Sequence, residues 1–123
     1  YKVVIIDGPK NMIDKKWCNI SNIGPAEFLN LIYNSKFVVA TSFHGTAFSV
    51  NFEKNFISLI NDEATLDNRQ KSLLQKMDME ECLLAKNTPL EDVVLPTIDY
   101  ALKRERINEL KKQSVDYLKE ALR

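Results

Sequence analysis

Residues 37–50 have the sequence FVVATSFHGTAFSV, in which a short apolar run leads through a small polar turn into a helical pattern. The uninterrupted apolar run Phe37 to Ala40 is typical of a parallel strand that is covered on both faces. A helix is predicted from Gly45, with its first N–H groups and positive dipole end facing any anion held beside Ser42 and His44. His44, the chain's one histidine, therefore lies at a strand-to-helix junction, where α/β proteins place ligands.

The same alternation extends on both sides of this junction. Apolar strands are predicted at residues 2–6, 17–20 and 56–60. Helices are predicted at 25–35, 45–53, 68–77 and from 99 to the end, the first beginning with Pro25 at its first position. Short connections between alternating strands and helices predict a Rossmann-like parallel sheet with helices on both faces. We expect residues 1–123 to form a single domain.

Composition limits the classes of function. Lysine plus arginine and aspartate plus glutamate each number 17, so no net charge favours nucleic acid. No apolar run is as long as the roughly 20 residues of a membrane span, which predicts no transmembrane segment. Cys18 and Cys82 are far apart in sequence and are expected to be reduced and half-buried. One histidine cannot supply a structural metal shell, so no metal or other cofactor is expected.

Sheet topology determines which loops can share a site. Ligands of an open parallel sheet bind at the carboxyl ends of its strands, so the loops after residues 6, 20, 40 and 60 should lie at one edge. Arg69 is the nearest cation in sequence that this arrangement allows to approach an anion beside His44. Ser42 and Thr46 have an alternative interpretation as helix-capping residues, and Gly45 as a residue needed for helix packing. Arg69 is equally compatible with a solvated surface position.

These residues also carry a resemblance to a known family. The segments concerned are Gly24-Pro25-Ala26-Glu27-Phe28-Leu29, residues 37–49 with their Ser-Phe-His-Gly core, and Asn68-Arg69 followed by Ser72-Leu73-Leu74. Together they resemble the C-terminal half of the polysaccharide pyruvyl transferase family. The resemblance implies a two-domain fold like that of the B-type glycosyltransferases, of which this chain would be the C-terminal domain.

The resemblance further implies a reaction and a set of site residues. Phosphoenolpyruvate would be the donor, a sugar of a bacterial surface polysaccharide the acceptor, and a pyruvate ketal the product. His44 would be catalytic, with Ser42, Gly45, Thr46 and Arg69 binding the donor. Further candidates are Gly24, Glu27 and Asn68. Phe43 fills the place of an arginine found in many relatives, which leaves that cationic role to Arg69 or to another part of the protein.

Two other classes of function remain open at this stage. The chain could be a nucleotide-sugar glycosyltransferase domain of similar architecture, or a non-catalytic module that binds a glycan or an anion. Because a strand pattern begins at residue 2, we expect an N-terminal half to precede this chain and to form part of the active site, leaving the isolated chain inactive. We expect a cytoplasmic protein that can also act at the inner face of the membrane.

Overall fold

The computed structural model describes residues 1–8, 16–61 and 69–123. Parallel strands and α-helices alternate along the first two thirds of the chain, so the predicted α/β class is confirmed. The elements are β1 (Val3–Ile6), β2 (Trp17–Ile20), α1 (Pro25–Asn34), β3 (Phe37–Ala40), α2 (Phe43–Asn51), β4 (Asn55–Ile60), α3 (Arg69–Lys76), β5 (Leu83–Ala85) and α4 (Tyr100–Ala121).

The chain divides into two compact units, and the boundary between them lies inside α1, after Leu31. In the first unit β1 and β2 pair in parallel, with Val3 opposite Trp17 and Ile6 opposite Ile20. The Asn19 side chain continues this pairing past the end of β1. Its amide accepts a hydrogen bond from the Gly8 N–H and donates one to the Gly8 carbonyl, both at 3.1 Å.

The second unit contains a three-stranded parallel sheet with β4 at its centre. The register sets Ala40 of β3 opposite Ser58 of β4, and Ser58 opposite Leu83 of β5. Ser58 is therefore level with the last residue of β3, at the edge where the chain leaves β3 for α2. A polar residue at a fully buried position of the central strand needs hydrogen-bond partners from its surroundings.

The structure differs from the sequence predictions in the pairing of the strands, in one short additional strand and in the burial of Cys82, besides the helix start described below. The strands pair as two sheets rather than as one continuous sheet among the described residues. The short strand β5 falls in the region 78–96 where no pattern was apparent, because three residues are too few to show a period. Cys82 is fully buried rather than half-buried, and burial raises the pKa of its thiol to about 12.

The core of the second unit brings α4 against the sheet. It consists of Val50, Phe56, Leu74, Met79, Cys82, Ile98, Tyr100 and Ile107. Tyr100 contributes its ring to this core and donates its hydroxyl hydrogen to the Lys54 carbonyl at 2.5 Å. Along α4, Ile107 is buried, whereas Leu118 and Leu122 are exposed. Only the first half of α4 is therefore packed against the rest of this unit.

Tight turns end the two helices that flank β4. Glu53 and Asp78 follow α2 and α3 with left-handed backbones, at φ angles of 53° and 54°. In each turn the next residue donates its N–H to a carbonyl near the helix end, from Lys54 to Ser49 and from Met79 to Leu74, both at 2.9 Å. The preceding residue of each turn also donates its N–H, from Glu53 to Val50 and from Asp78 to Gln75, and the two bonds of each turn together form a Schellman motif. They return the chain sharply after each helix and so help to fix where α2 and α3 stand on the sheet.

Candidate active site

Ser42 is the N-cap residue of α2, and this places the helix start two residues earlier than predicted. Its hydroxyl oxygen accepts a hydrogen bond from the Gly45 N–H at 3.1 Å, and its carbonyl accepts one from the Thr46 N–H at 3.1 Å. The sequence prediction began the helix at Gly45, because neither Phe43 nor His44 carries a signal for a helix start. The helix in fact begins at Phe43, so His44 lies within its first turn.

This shift changes which backbone amides can meet a ligand. The N–H groups of Gly45 and Thr46 are occupied by the cap, so they are not available for the anion that the sequence analysis assigned to them. The N–H groups of Phe43 and His44 occupy the first two helical positions and have no partner within the helix. The positive end of the helix dipole is therefore presented through residues 43 and 44.

Gly45 has a packing reason for lacking a side chain. A Cβ atom there would lie 3.1 Å from the Ser42 hydroxyl oxygen and 3.4 Å from the Ala40 Cβ. The close approach of the helix to the end of β3 therefore favours glycine. This geometry agrees with the helix-packing interpretation of Gly45, and its role toward the donor stays a prediction.

Two of the candidate side chains, those of Arg69 and His44, contact the ring of Phe43. The Arg69 guanidinium carbon lies 5.3 Å from the centre of the Phe43 ring, within the range of a cation–π contact. The His44 ring meets the Phe43 ring edge to face, with their centres 5.7 Å apart. Arg69 is the first residue of α3, so the start of α3 lies beside the start of α2. The sequence predicted this approach of Arg69 from strand order alone.

The polar groups at this helix start keep hydrogen-bonding capacity for a ligand. Ser42, His44 and Arg69 are all exposed. The Ser42 hydroxyl uses one lone pair for capping and keeps its hydrogen, so it can cap the helix and still donate to a bound group. Among the described residues, no carboxylate pairs with Arg69. Arg69 and His44 therefore both contact the Phe43 ring, next to two amides of α2 that have no helical partner, and groups of these kinds can bind an anion and transfer a proton to it.

Thr46 faces the interior rather than this point. Its side chain is fully buried, and its hydroxyl donates to the Ser42 carbonyl at 2.9 Å. The same oxygen lies 2.7 Å from the Ser58 hydroxyl, which is also fully buried. Ser58 accepts in turn from the Gln70 side-chain amide at 2.7 Å. Thr46 is thus hydrogen-bonded to protein on both sides, and a direct contact with the donor stays a prediction.

Ser58 and Gln70 are residues that the sequence analysis missed. Ser58 carried a usable signal, since it is a polar residue in the otherwise apolar strand Phe56–Ile60 and buried polar groups need partners. Gln70 carried none, because glutamine is ordinary in the first turn of a helix. Only the structure shows that the Gln70 side chain donates a hydrogen bond to Ser58, twelve residues earlier.

The remaining candidates belong to the first unit or lie outside the described residues. Gly24 and Glu27 belong to the first unit, where the Gly24 carbonyl accepts the Phe28 N–H at 3.1 Å at the start of α1. A Cβ atom on Gly24 would lie 2.7 Å from a Glu27 carboxylate oxygen, so these residues pack against each other at the helix start. Asn68 lies outside the described residues. Ligand contacts by these three residues stay predictions.

Comparison with known proteins adds the decisive observation. A family model described as polysaccharide pyruvyl transferase matches residues 2–63, which is half of the chain and includes every element from β1 to β4. This chain belongs to the polysaccharide pyruvyl transferase family. No curated protein and no solved structure matches it.

The match to the polysaccharide pyruvyl transferase family covers part of the candidate site and not the rest. Ser42, His44, Gly45 and Thr46 lie inside the matched region, whereas Arg69 and Gln70 lie beyond its end. The geometry of α3 therefore adds to what the family match gives. Within residues 1–8, 16–61 and 69–123, no helix is long and apolar enough to cross a membrane, and no three potential metal ligands cluster.

Proposed function

We propose that this polysaccharide pyruvyl transferase uses phosphoenolpyruvate as donor and forms a pyruvate ketal on a sugar of a bacterial surface polysaccharide. The observation that supports this most directly is that Arg69 and His44 both contact the Phe43 ring, at the helix start where the N–H groups of Phe43 and His44 have no helical partner. Phosphoenolpyruvate carries a phosphate and a carboxylate, and both suit a helix N-terminus with a neighbouring guanidinium.

The proposed chemistry assigns a proton transfer to His44. The imidazolium would give its proton to the methylene carbon of the enol, and a sugar hydroxyl would attack the adjacent carbon and return a proton to the imidazole. The bond from that carbon to the phosphate oxygen would then break, and a second hydroxyl of the same sugar would add to the carbon and pass its proton to the departing phosphate, which completes the ketal. Histidine suits this work because its ordinary pKa allows it to give and accept protons near neutral pH.

Arg69 and the first turn of α2 would bind and orient the donor. A guanidinium makes charge-assisted hydrogen bonds to phosphate or carboxylate, and the amides of residues 43 and 44 would meet the same group from the helix end. The Phe43 ring supports the guanidinium from one side. In this proposal Arg69 takes the cationic role that an arginine at the position of Phe43 has in many relatives.

We further propose that an N-terminal domain of the same protein supplies the wall that faces the acceptor. The exposure of Ser42 and His44 supports this, because a proton transfer to carbon proceeds better when water is excluded. The two domains together would form a fold like that of the B-type glycosyltransferases. We propose a cytoplasmic location for the protein, at or near the inner face of the membrane.

The test is a transfer assay with the complete protein, phosphoenolpyruvate and a surface-glycan acceptor. Phosphate release should match pyruvyl gain by the glycan, and residues 1–123 alone should give no transfer. His44→Gln and His44→Asn should each lower turnover by about 100-fold or more, because neither amide can donate a proton to carbon. Melting temperatures should stay unchanged, since His44 is exposed.

Three results would contradict these assignments. Near-normal turnover in either His44 variant would exclude proton transfer by this residue. Nucleotide release from a nucleotide sugar, without consumption of phosphoenolpyruvate, would favour a glycosyltransferase. Binding of phosphoenolpyruvate or glycan with no turnover in the complete protein would indicate a binding module.

A further inference from the structure

A buried hydrogen-bond chain connects the start of α3 with the start of α2. Its members are the Gln70 side-chain amide, the Ser58 hydroxyl, the Thr46 hydroxyl and the Ser42 carbonyl, at successive distances of 2.7, 2.7 and 2.9 Å. Ser58 and Thr46 are fully buried, so neither hydroxyl can exchange its protein partner for bulk water. In such surroundings a lost partner is not replaced.

The directions of these hydrogen bonds are fixed by counting protons. The Thr46 hydroxyl has a single hydrogen, which it donates to the Ser42 carbonyl. The hydrogen between Ser58 and Thr46 must therefore come from Ser58. Ser58 then needs a donor, and the Gln70 nitrogen supplies one while also donating to the Leu59 carbonyl at 3.3 Å. Every donor in the chain points from α3 toward the N-cap of α2.

The two ends of the chain coincide with the two sides of the candidate active site. Gln70 directly follows Arg69, and the Ser42 carbonyl belongs to the residue that caps the helix of His44. The Ser42 carbonyl accepts from both the N–H and the hydroxyl of Thr46, so both of its lone pairs are used. The orientation of the capping residue is thereby tied to the position of the first turn of α3.

We propose that Gln70, acting through Ser58 and Thr46, is a positioning residue for donor binding. It would hold the first turn of α3, and with it Arg69, at a fixed place beside the first turn of α2. This inference rests on the proposed function for its ligand, but the coupling between the two helix starts exists without any ligand. Loss of the Gln70 donor should loosen both the cap and the approach of Arg69.

The experiment compares Gln70→Ala with Gln75→Ala in the complete protein. Gln75 is a matched control because it lies in the same helix with an exposed side chain. Gln70→Ala should speed hydrogen exchange at the Gly45 and Thr46 amides about 10-fold without ligand, and should weaken phosphoenolpyruvate binding about 10-fold with a smaller change in kcat. Gln75→Ala should change none of these quantities.

Thr46 supplies a second pair of variants that tests the middle of the chain. Thr46→Val has nearly the same shape as threonine but lacks the hydroxyl, so without ligand it should speed exchange at the Gly45 amide as Gln70→Ala does, whereas Thr46→Ser keeps the hydroxyl and should not. If the chain acts as one unit, combining Thr46→Val with Gln70→Ala should speed this exchange no more than either change alone.

The outcomes separate this inference from the proposed function. Unchanged amide exchange in Gln70→Ala would overturn the coupling of the two helix starts. Weaker donor binding with unchanged exchange would mean that Gln70 acts on the ligand directly, which also overturns a positioning role. If the unmodified protein binds no phosphoenolpyruvate, the proposed function fails, while faster exchange in Gln70→Ala would still support the coupling.

Discussion

Replacing Ser42 by aspartate should separate its effect on helix stability from its effect on the donor. Aspartate caps a helix as well as serine does, and its charge interacts favourably with the helix dipole. Ser42→Asp should therefore keep the free energy of unfolding or raise it slightly. Ser42→Ala should lower it by about 1 kcal/mol, because the Gly45 N–H loses the partner it now has at 3.1 Å.

The same aspartate should oppose the binding of an anionic donor. At roughly 5 Å from an anion held by the first turn of α2, and with an effective dielectric constant of about 20, two unit charges repel by about 3 kcal/mol. Because Ser42 is exposed, solvent and salt should reduce this to about 1–2 kcal/mol. The Kd for phosphoenolpyruvate should rise about 5-fold to 30-fold.

Ser42→Asn is the matched control, because asparagine has the shape and capping ability of aspartate without its charge. Urea denaturation would measure stability, and titration calorimetry at low and high salt would measure donor affinity. The Ser42→Asp variant should bind the donor more weakly than the Ser42→Asn variant, and this difference in affinity should shrink as salt is added. Equal affinities of the two variants would refute donor binding at the start of α2, and a loss of stability in both would refute the capping role.

Two further predictions concern Arg69 and Cys82. Arg69→Ala should weaken donor binding, measured by calorimetry, about 10-fold with little change in melting temperature. Arg123→Ala removes the same charge at residue 123 and should leave the affinity unchanged. Equal affinities of the two variants would mean that Arg69 is an ordinary surface residue. Burial raises the pKa of the Cys82 thiol from 9.0 to about 12, so its contribution to stability is complete below pH of about 9 and is lost as the pH rises toward 12. Urea denaturation should show the unfolding free energy falling by about 1.4 kcal/mol for each pH unit in this range. Cys82→Ala should remove this fall, and an unchanged dependence of the unfolding free energy on pH would show that Cys82 does not cause it.

The helix ends show how far local chemistry could be predicted. The sequence placed the start of the first helix at Pro25, where the structure also begins α1, because proline is favoured at that position. It placed the start of α2 two residues too late, since Phe43 and His44 have no such signal, and the capping role that serine at position 42 suggested was settled only by the bond from the Gly45 N–H. Predicted boundaries were accurate where one residue type carried the information.

The sequence by itself determined the α/β class and the positions of the strands at 17–20 and 37–40, and it indicated Arg69 as a cation near the start of α2. These follow from apolar periodicity and from the rule that parallel strands end at the same edge, and both are properties of local sequence order.

Only the tertiary structure decided that β1 and β2 pair apart from β3, β4 and β5, that Phe43 supports Arg69, and that Gln70 connects through Ser58 to Thr46. Strand partners and buried polar contacts join residues that are distant along the chain. Their geometry depends on how whole elements pack, which no local pattern encodes.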